Sequence, residues 1–194
     1  MTAKSRDTRG TAAKMGRTVS VFGANDATEG QELYEQALGV GAVLARLGYA
    51  VANGGYGGTM EASAAGAKQA GGRTVGVTCS LWRSMPNRHI DRLIATDSLF
   101  ARLEKLLEVG DAGYVVLAGA TGTLVELATA WEMMCKGMLA RRPLVCLGSF
   151  WRPVIELMAA QRPQCGELVA VVDSPRELDK FFPPVPGRRG AEQA

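Results

Sequence analysis

Three short glycine-rich segments, each directly after a run of apolar or β-branched residues, constrain the fold of this chain more than any other feature. The runs are residues 18–22 (TVSVF), 49–52 (YAVA) and 114–117 (YVVL), and the segments that follow them are residues 23–26 (GAND), 53–60 (NGGYGGTM) and 118–123 (AGATGT). A stretch with apolar residues at helical spacing comes after each segment. A strand, a glycine turn and a helix in repeated order are typical of βαβ units, which build parallel sheets.

The same alternation continues along the chain and predicts the fold class. The predicted strands are residues 18–22, 49–52, 74–78, 114–117, 144–147 and 168–172, and the predicted helices are residues 31–47, 60–70, 97–108, 123–138, 151–160 and 175–181. Residues 79–92 contain Pro86 and scattered basic residues, a composition typical of a mobile loop near a site. We expect an α/β, Rossmann-like, doubly wound parallel sheet with helices on both faces.

The predicted domain organisation is simple. The chain has 194 residues, of which 47% are hydrophobic, enough for one domain with a substantial core and little room for two. We expect a single Rossmann-like domain at residues 17–183, with a ligand class that the motifs described below imply. A disordered basic tail is predicted at residues 1–16, and a flexible tail at residues 184–194.

Composition also argues against several classes of partner. The formal net charge of +3 comes mainly from basic residues near the chain ends. The body of the chain has no basic stripe with interleaved aromatic residues, so we expect no nucleic-acid partner. No apolar run reaches the roughly 18 residues of a membrane span, so we expect no membrane partner.

The cysteines and the histidine show no metal-binding pattern. Cys79, Cys135, Cys146 and Cys165 lack C-x-x-C spacing, and His89 is the one histidine. Neither set matches a zinc site. We therefore predict no metal and no cofactor, with the cysteines as buried free thiols in a reducing cytoplasm.

The glycine segments suggest a phosphate site. In open α/β sheets, ligands bind outside the carboxyl ends of the strands. Unpaired amides at the start of a helix attract an anion there, and glycines let the backbone approach it. None of the segments is a P-loop, because no Gly-Lys-Ser/Thr sequence follows. The alternative is that the glycines only make tight turns.

Two charged residues on the predicted helices stand apart from the solvated ones. Glu126 lies about 200° around its helix from Leu124 at 100° per residue, away from the apolar stripe. It either complements the helix dipole or faces a site, where a carboxylate can meet a developing cation. Arg102 lies about 60° from Leu99, at the edge of its apolar stripe. It either extends along the core surface to solvent or reaches a phosphate or a carboxylate.

These residues resemble motifs of the Lonely Guy family. Residues 118–126 (AGATGTLVE) are similar to the family's P-G-G-x-G-T-x-x-E signature, and residues 51–60 (VANGGYGGTM) to its V-Y-G-G-G-x-x-G-L-M segment. Residues 99–103 (LFARL) correspond to its M-H-x-R-K segment, with Arg102 on the arginine. The resemblance runs from about residue 18 to 181. The chain departs from the family at Ala118 and Ala120, which replace the proline and the second glycine. It also departs at Leu99, Phe100 and Leu103, which replace the methionine, the histidine and the lysine.

The resemblance implies a function and a set of site residues. Characterised members are nucleoside 5′-monophosphate phosphoribohydrolases, which release a free base and ribose 5-phosphate, and they were formerly called lysine decarboxylase-like. It implies Arg102 and Glu126 as catalytic residues. The implied phosphate-binding residues are Gly119, Ala120, Thr121, Gly122 and Thr123, and the implied ribose- and base-binding residues are Gly23, Ala24, Asn25, Gly54, Gly55, Gly58, Met60 and Leu99.

The resemblance leaves a second function open and implies an assembly. Molybdenum-cofactor carrier proteins share the expected fold and similar motifs, so a non-catalytic carrier that binds a nucleotide or the molybdenum cofactor is the alternative. The expected partner is a small-molecule nucleotide. The family resemblance also implies a homodimer or a higher homo-oligomer, with the site near the interface. Trp131, Met133, Met134 and Met138 are candidate contacts, and a purely core role is the alternative for Trp131 and Met134.

Overall fold

A computed structural model of the protein describes residues 17–186. Within them, seven strands form one parallel sheet in the order β4-β3-β2-β1-β5-β6-β7. The strands are β1 Thr18–Phe22, β2 Ala50–Asn53, β3 Thr74–Cys79, β4 Arg92–Thr96, β5 Gly113–Val116, β6 Leu144–Leu147 and β7 Val169–Val172. The predicted Rossmann-like α/β fold is confirmed.

Helices connect successive strands except β3 and β4, which the segment at residues 80–91 joins. They are α1 Glu32–Arg46, α2 Thr59–Gln69, α3 Leu99–Val109, α4 Thr121–Cys135, α5 Arg152–Gln161 and the short α6 Pro163–Gly166, followed by a 3₁₀-helix at Pro175–Lys180. Each predicted strand and helix is present, with ends shifted by at most three residues. The last predicted helix is a 3₁₀-helix rather than an α-helix. Its capping box, formed by Ser174 and Glu177, explains why the start matched a helical signal.

One strand was missing from the prediction. β4 pairs in parallel with β3 at the edge of the sheet, directly after the segment predicted to be irregular. Within β4 only Ile94 and Thr96 are buried, because an edge strand covers one face and lies beside one neighbour. This partial burial gives a short, mixed sequence that resembles a loop more than a strand.

The core lies on both faces of the sheet, as strand alternation requires. Val19 and Val21 of β1 pack on the face covered by α1 and the 3₁₀-helix, whereas Phe22 packs on the opposite face. In β5, Val115 belongs to the first of these clusters, and Tyr114 to the second. Burying each such side chain contributes about 1.5–3 kcal/mol to stability.

The structure describes the chain from residue 17 to residue 186. Residues 1–16 and 187–194, where most of both predicted tails fall, lie outside the described residues. Val185 is held to the domain, since its N–H donates to Leu47 O at 2.8 Å. Between residues 17 and 186, no helix is long and apolar enough to cross a membrane. In the same range, no three His, Cys, Asp or Glu side chains group in a way that could hold a metal ion.

Two of the four cysteines differ from the prediction of free thiols. Cys79 and Cys146 are buried and free, but Cys135 at the end of α4 and Cys165 in α6 form a disulfide. Their Cα atoms lie 5.7 Å apart, within the range that a disulfide needs. Spacing along the chain could not predict this pair, because its two cysteines lie 30 positions apart and are brought together only by the packing of α4 against α6.

We expect this bond to contribute measurably to stability. Closing a loop of 30 residues restricts the unfolded chain and stabilises the native state by about 3.6 kcal/mol. Adding a reductant should therefore lower the free energy of unfolding of the parent protein in urea. Cys135→Ser should be equally destabilised without reductant and should not respond to it. Four titratable thiols in denaturant without reductant would contradict the pairing.

Candidate active site

A cavity of about 610 Å³ lies where the strand order reverses. β1 and β5 are neighbours, yet the chain leaves β1 toward β2 and leaves β5 toward β6, so the turns after these strands diverge. Such a topological switch point is the usual ligand site of an open α/β sheet. The cavity is lined by Val21, Phe22, Gly23, Ala24, Asn25, Asp26, Gly54, Tyr56, Gly57, Met60, Trp82, Ser84, Met85, Arg102, Ala120, Gly122, Thr123 and Glu126.

The backbone of one residue, Ala24, joins the three glycine turns. The N–H of Ala24 donates to Ala118 O at 3.1 Å. The oxygen of Ala24 accepts from the N–H and the hydroxyl of Thr59, both at 2.9 Å. Gly58 precedes Thr59 with φ +67°, and a Cβ there would run into Ala24 O and Asn25. Glycine is therefore required at residue 58 for both its conformation and its space.

The second turn is shaped by a buried amide. Asn53 is fully buried, and its Oδ1 accepts from the N–H of Gly55 at 2.8 Å. Its Nδ2 donates to Met60 O at 2.8 Å and to Ser63 Oγ at 3.1 Å. Asparagine at the start of a turn often bonds the backbone two residues on, so the position of Asn53 before the glycines is the sequence signal for this bond. Asn53 thereby fixes the floor of the cavity.

The third turn presents the start of α4. Gly119 lies against Thr123, and a Cβ at residue 119 would overlap Thr123 Oγ1. Ala120, which replaces a family glycine, has φ −91°, a value that any residue adopts. It has no side-chain oxygen with which to cap the helix. The N–H groups of residues 121–123 also have no partner within α4, because the first intrahelical bond runs from Leu124 N to Ala120 O. Backbone donors and the helix dipole favour an anion here.

Arg102 reaches the cavity from α3. Ser98 caps this helix by accepting from Ala101 N at 3.2 Å. One turn later Arg102 is 7% exposed, and its Nε–H donates to Val77 O at 2.9 Å. A Cβ on Gly54 would overlap Arg102 Nη2, so this glycine leaves the space that the guanidinium occupies.

Arg102 meets Glu126 on the cavity wall. Arg102 Nη1 lies 3.6 Å from Glu126 Oε1, and the two side chains are 9% and 14% exposed. Burial raises the pKa of Glu126 to about 7, although the nearby positive charge of Arg102 opposes this rise. A carboxyl group with such a pKa exchanges a proton near neutral pH, and shifts of this kind are frequent at functional sites.

The structure gathers most of the predicted site residues but not all of them. The lining includes Arg102, Glu126, Ala120, Gly122, Thr123, Gly23, Ala24, Asn25, Gly54 and Met60. The turns also contain Gly55, Gly58, Gly119 and Thr121, which do not line the cavity. Leu99 likewise is absent from the lining, and it is 49% exposed at the start of α3.

Several lining residues were not singled out from the sequence. Tyr56 lies between the glycines of the second turn and was not among the predicted site residues. Trp82 and Met85 belong to the segment predicted to be a loop near a site, but nothing in its pattern identified these side chains. Asp26 ends the first turn and places a carboxylate beside the cavity. For Tyr56 a usable signal was present in the sequence, since an aromatic residue is unusual within a glycine-rich turn.

A sequence profile of the SLOG cluster4 family matches residues 16–175, most of the chain and all three glycine turns. The chain belongs to the SLOG cluster4 family. This membership, with relatives named as phosphoribohydrolases, confirms the resemblance to the Lonely Guy family.

Sequence relatives and solved structures that resemble this chain carry different names. A cytokinin riboside 5′-monophosphate phosphoribohydrolase from Mycobacterium tuberculosis is 38% identical over 117 residues, which are 59% of this chain and 62% of that protein. The match thus spans less than two thirds of the relative. Among solved structures, a molybdenum cofactor binding protein from Rippkaea orientalis has a TM-score of 0.67 at 26% identity, over 84% of this chain and 93% of the other. A molybdenum cofactor carrier protein from Chlamydomonas reinhardtii has a TM-score of 0.63 at 25% identity, over 81% and 91%.

Proposed function

We propose that this protein hydrolyses the N-glycosidic bond of a nucleoside 5′-monophosphate, AMP or a modified-adenine nucleotide, to a free base and ribose 5-phosphate. The observation that carries the proposal is the buried Arg102–Glu126 pair beside the uncapped start of α4, in one cavity. The name of the Mycobacterium tuberculosis relative supports it. The cavity volume is also in the range of about 300–1,000 Å³ that small-molecule sites occupy.

The proposed binding mode assigns each part of the nucleotide to one turn. The phosphate binds the amides of residues 119–123, where the helix dipole of α4 favours negative charge. The ribose lies over residues 54–58. Residues 23–25, Met60 and Leu99 complete the ribose and base contacts in this proposal. The negative φ of Ala120 supports the phosphate assignment, because the replacement of the family glycine leaves the turn unstrained.

The proposed chemistry uses Glu126 as an anion. As the base leaves, positive charge develops at C1′ of the ribose, and a carboxylate stabilises such an oxocarbenium-like transition state or orients the attacking water. Arg102 holds the nucleotide and fixes the carboxylate. Water adds its hydroxyl to C1′, and its proton goes to the departing base, so no further reactant is needed.

The test is direct product analysis. Purified protein is incubated with AMP, and adenine and ribose 5-phosphate are quantified by chromatography. Equal amounts of the two products, absent in a matched incubation with adenosine, are the expected result. Release of adenosine and inorganic phosphate instead would indicate a phosphatase and overturn the proposal.

The pH dependence of the reaction is expected to follow the ionisation of the Glu126 carboxyl group. Its pKa is raised to about 7, and the ionised form is the active one, so kcat/KM should rise through pH 7 and level off above it. An ordinary glutamate would give a flat profile above about pH 5.5. The second pKa of the substrate phosphate is about 6, so AMP binding also changes with pH in this range. The dissociation constant of AMP is therefore measured at each pH, and the kcat/KM profile is corrected for its change. A profile that stays flat from pH 5.5 to 8 would contradict the assignment.

A second candidate function is a non-catalytic carrier. The solved structures named as molybdenum cofactor binding and carrier proteins favour it, since they cover most of this chain. The exchange of two P-G-G residues for alanine favours it as well. A protein that binds nucleotides tightly, yet releases no base from any of them over hours, would be assigned to the carrier class.

The proposed assembly is a homodimer that covers a site-rim patch. This patch consists of Leu99 and Phe100 at the start of α3, and Leu124 and Val125 at the start of α4, which are between 36% and 80% exposed. Contact between Arg102 and Glu126 makes the first turns of these helices neighbours. Of the four candidate contacts from the sequence, Trp131 and Met134 are core residues, whereas Met138 is 66% exposed. The proposed location is the cytoplasm, the expected source of a nucleotide substrate.

Light scattering at micromolar concentration is expected to give twice the mass of the chain. Phe100→Glu places a charge in the site-rim patch and should yield a monomer, because an unpaired charge is costly in an apolar interface. Leu157→Glu on α5 is the matched control, since Leu157 is 63% exposed outside the patch, and it should stay dimeric. A monomeric parent protein would refute the dimer.

A further inference from the structure

The segment between β3 and β4 is fastened over the second glycine turn. Asn87 makes both connections, since its N–H donates to Gly55 O and its Nδ2 donates to Tyr56 O, each at 2.8 Å. These bonds bring the segment to the edge of the cavity. Three large apolar side chains follow β3 in this segment, and Leu81 and Met85 are 69% and 84% exposed. The third, Trp82, is 42% exposed and turns toward the cavity.

Two aromatic rings contact the Arg102 guanidinium. Its Cζ lies 5.1 Å from the ring centroid of Trp82 and 5.9 Å from that of Tyr56, both within cation–π range. The two rings pack edge to face with centroids 5.7 Å apart. The hydroxyl of Tyr56 accepts from Cys79 N at 2.9 Å and donates to Cys79 O at 3.1 Å, so this ring is fixed at its far end.

The remaining contacts of Arg102 leave its orientation under-determined. Within residues 17–186, one hydrogen bond of normal length holds the guanidinium, from Nε–H to Val77 O. Nη1 lies 3.6 Å from Glu126 Oε1, longer than a hydrogen bond, and Nη2 lies 4.0 Å from Met60 Sδ. A single bond at Nε permits the plane to tilt, and a ring stacked on that plane restricts the tilt.

We infer that Trp82 is a positioning residue for the proposed reaction: its ring, supported by Tyr56, holds the Arg102 guanidinium beside Glu126. The inference rests on the proposed function for its catalytic consequence, and on the contacts alone for the positioning. Trp82 does not need to touch the reacting atoms. Because it comes from a segment outside the glycine turns, this residue couples the conformation of that segment to the Arg102–Glu126 pair.

The kinetic test compares two replacements of Trp82. Trp82→Ala removes the ring, and kcat/KM for AMP is expected to fall about 10-fold, the loss of a partly buried cation–π contact. Trp82→Phe keeps an aromatic face and should restore activity to within about 3-fold of the parent. Leu81→Ala is the matched control in the same segment and should match the parent. Equal loss in Leu81→Ala and Trp82→Ala, or no loss in Trp82→Ala, would overturn the inference.

A second measurement does not depend on the reaction. The Nε–H of Arg102 is observable by nitrogen-15 NMR and is assigned by its disappearance in Arg102→Lys. In the parent it should exchange slowly and carry a ring-current shift, and Trp82→Ala should speed exchange and remove that shift. If this holds while AMP is not hydrolysed, the proposed function fails and the positioning role stands. If the Nε–H resonance is unchanged in Trp82→Ala, the positioning role is wrong, whatever the activity.

Discussion

Glu126→Gln should lower kcat for AMP hydrolysis by on the order of 10²-fold or more, with little change in nucleotide binding. Glutamine keeps the size and the hydrogen-bonding capacity of the side chain but removes the charge that an oxocarbenium-like transition state meets. Losing one aimed electrostatic group in a buried site typically has an effect of this size. The proposed phosphate donors are backbone amides at the start of α4, which the replacement leaves in place. Single-turnover kinetics and calorimetric binding of AMP separate the two quantities.

The control for this variant lies on the same helix. Glu132 is exposed near the end of α4 and pairs with Lys136, outside the cavity, so Glu132→Gln should retain the kcat of the parent. Full hydrolysis by Glu126→Gln would refute the role of the carboxylate. A large loss of AMP binding in that variant would assign Glu126 a role in nucleotide binding instead of the chemical step.

Arg102→Ala is expected to weaken both binding and turnover, with kcat/KM lower by on the order of 10³-fold. The replacement removes a cation from beside Glu126 and leaves that buried carboxyl group without a charge partner. The pKa of Glu126 should therefore rise further above 7, because Arg102 is the contact that lowers it. At pH 7 a smaller share of Glu126 is then ionised, which adds to the loss of the direct contact with the nucleotide.

The activity of Arg102→Ala is expected to depend on pH in a characteristic way. Part of the activity of Arg102→Ala should return at pH 8 to 9, where Glu126 ionises again, while the weaker AMP binding should persist. Lys105→Ala is the matched control, since Lys105 lies on the same helix and pairs with Glu108 outside the cavity. Unchanged KM and kcat in Arg102→Ala would contradict the proposed role of Arg102 in nucleotide binding and turnover.

Much of the fold could be predicted because its signals are local. The apolar runs of β1 and β5 and the stripes of α1 and α3 identify strands and helices by the spacing of neighbouring residues. Glycines within a few residues of the ends of β1, β2 and β5 mark the three turns around the cavity. β4 escaped prediction because an edge strand buries only part of one face, so its sequence lacks the apolar run that a central strand requires.

The candidate site was partly predictable for the same reason. The position of Glu126 around its helix placed it off the apolar stripe, and the structure has it on the cavity wall. Arg102 was expected at the edge of its stripe, where a side chain either extends to solvent or reaches inward. Helical spacing cannot decide between these, since it fixes an angle around one helix and not what lies beside that helix.

The sequence by itself determined the order of strands, turns and helices, and the glycine turns at the carboxyl ends of the strands, because these depend on residues close together in the chain. Tertiary structure decided which residues meet. The sheet order places β5 beside β1 and so brings α3 and α4 together, which puts Arg102 against Glu126. Packing of α6 on α4 pairs Cys135 with Cys165, and the segment after β3 brings Trp82 onto the guanidinium. Each of these contacts joins parts of the chain that are distant in sequence, so it forms only where the fold brings them together.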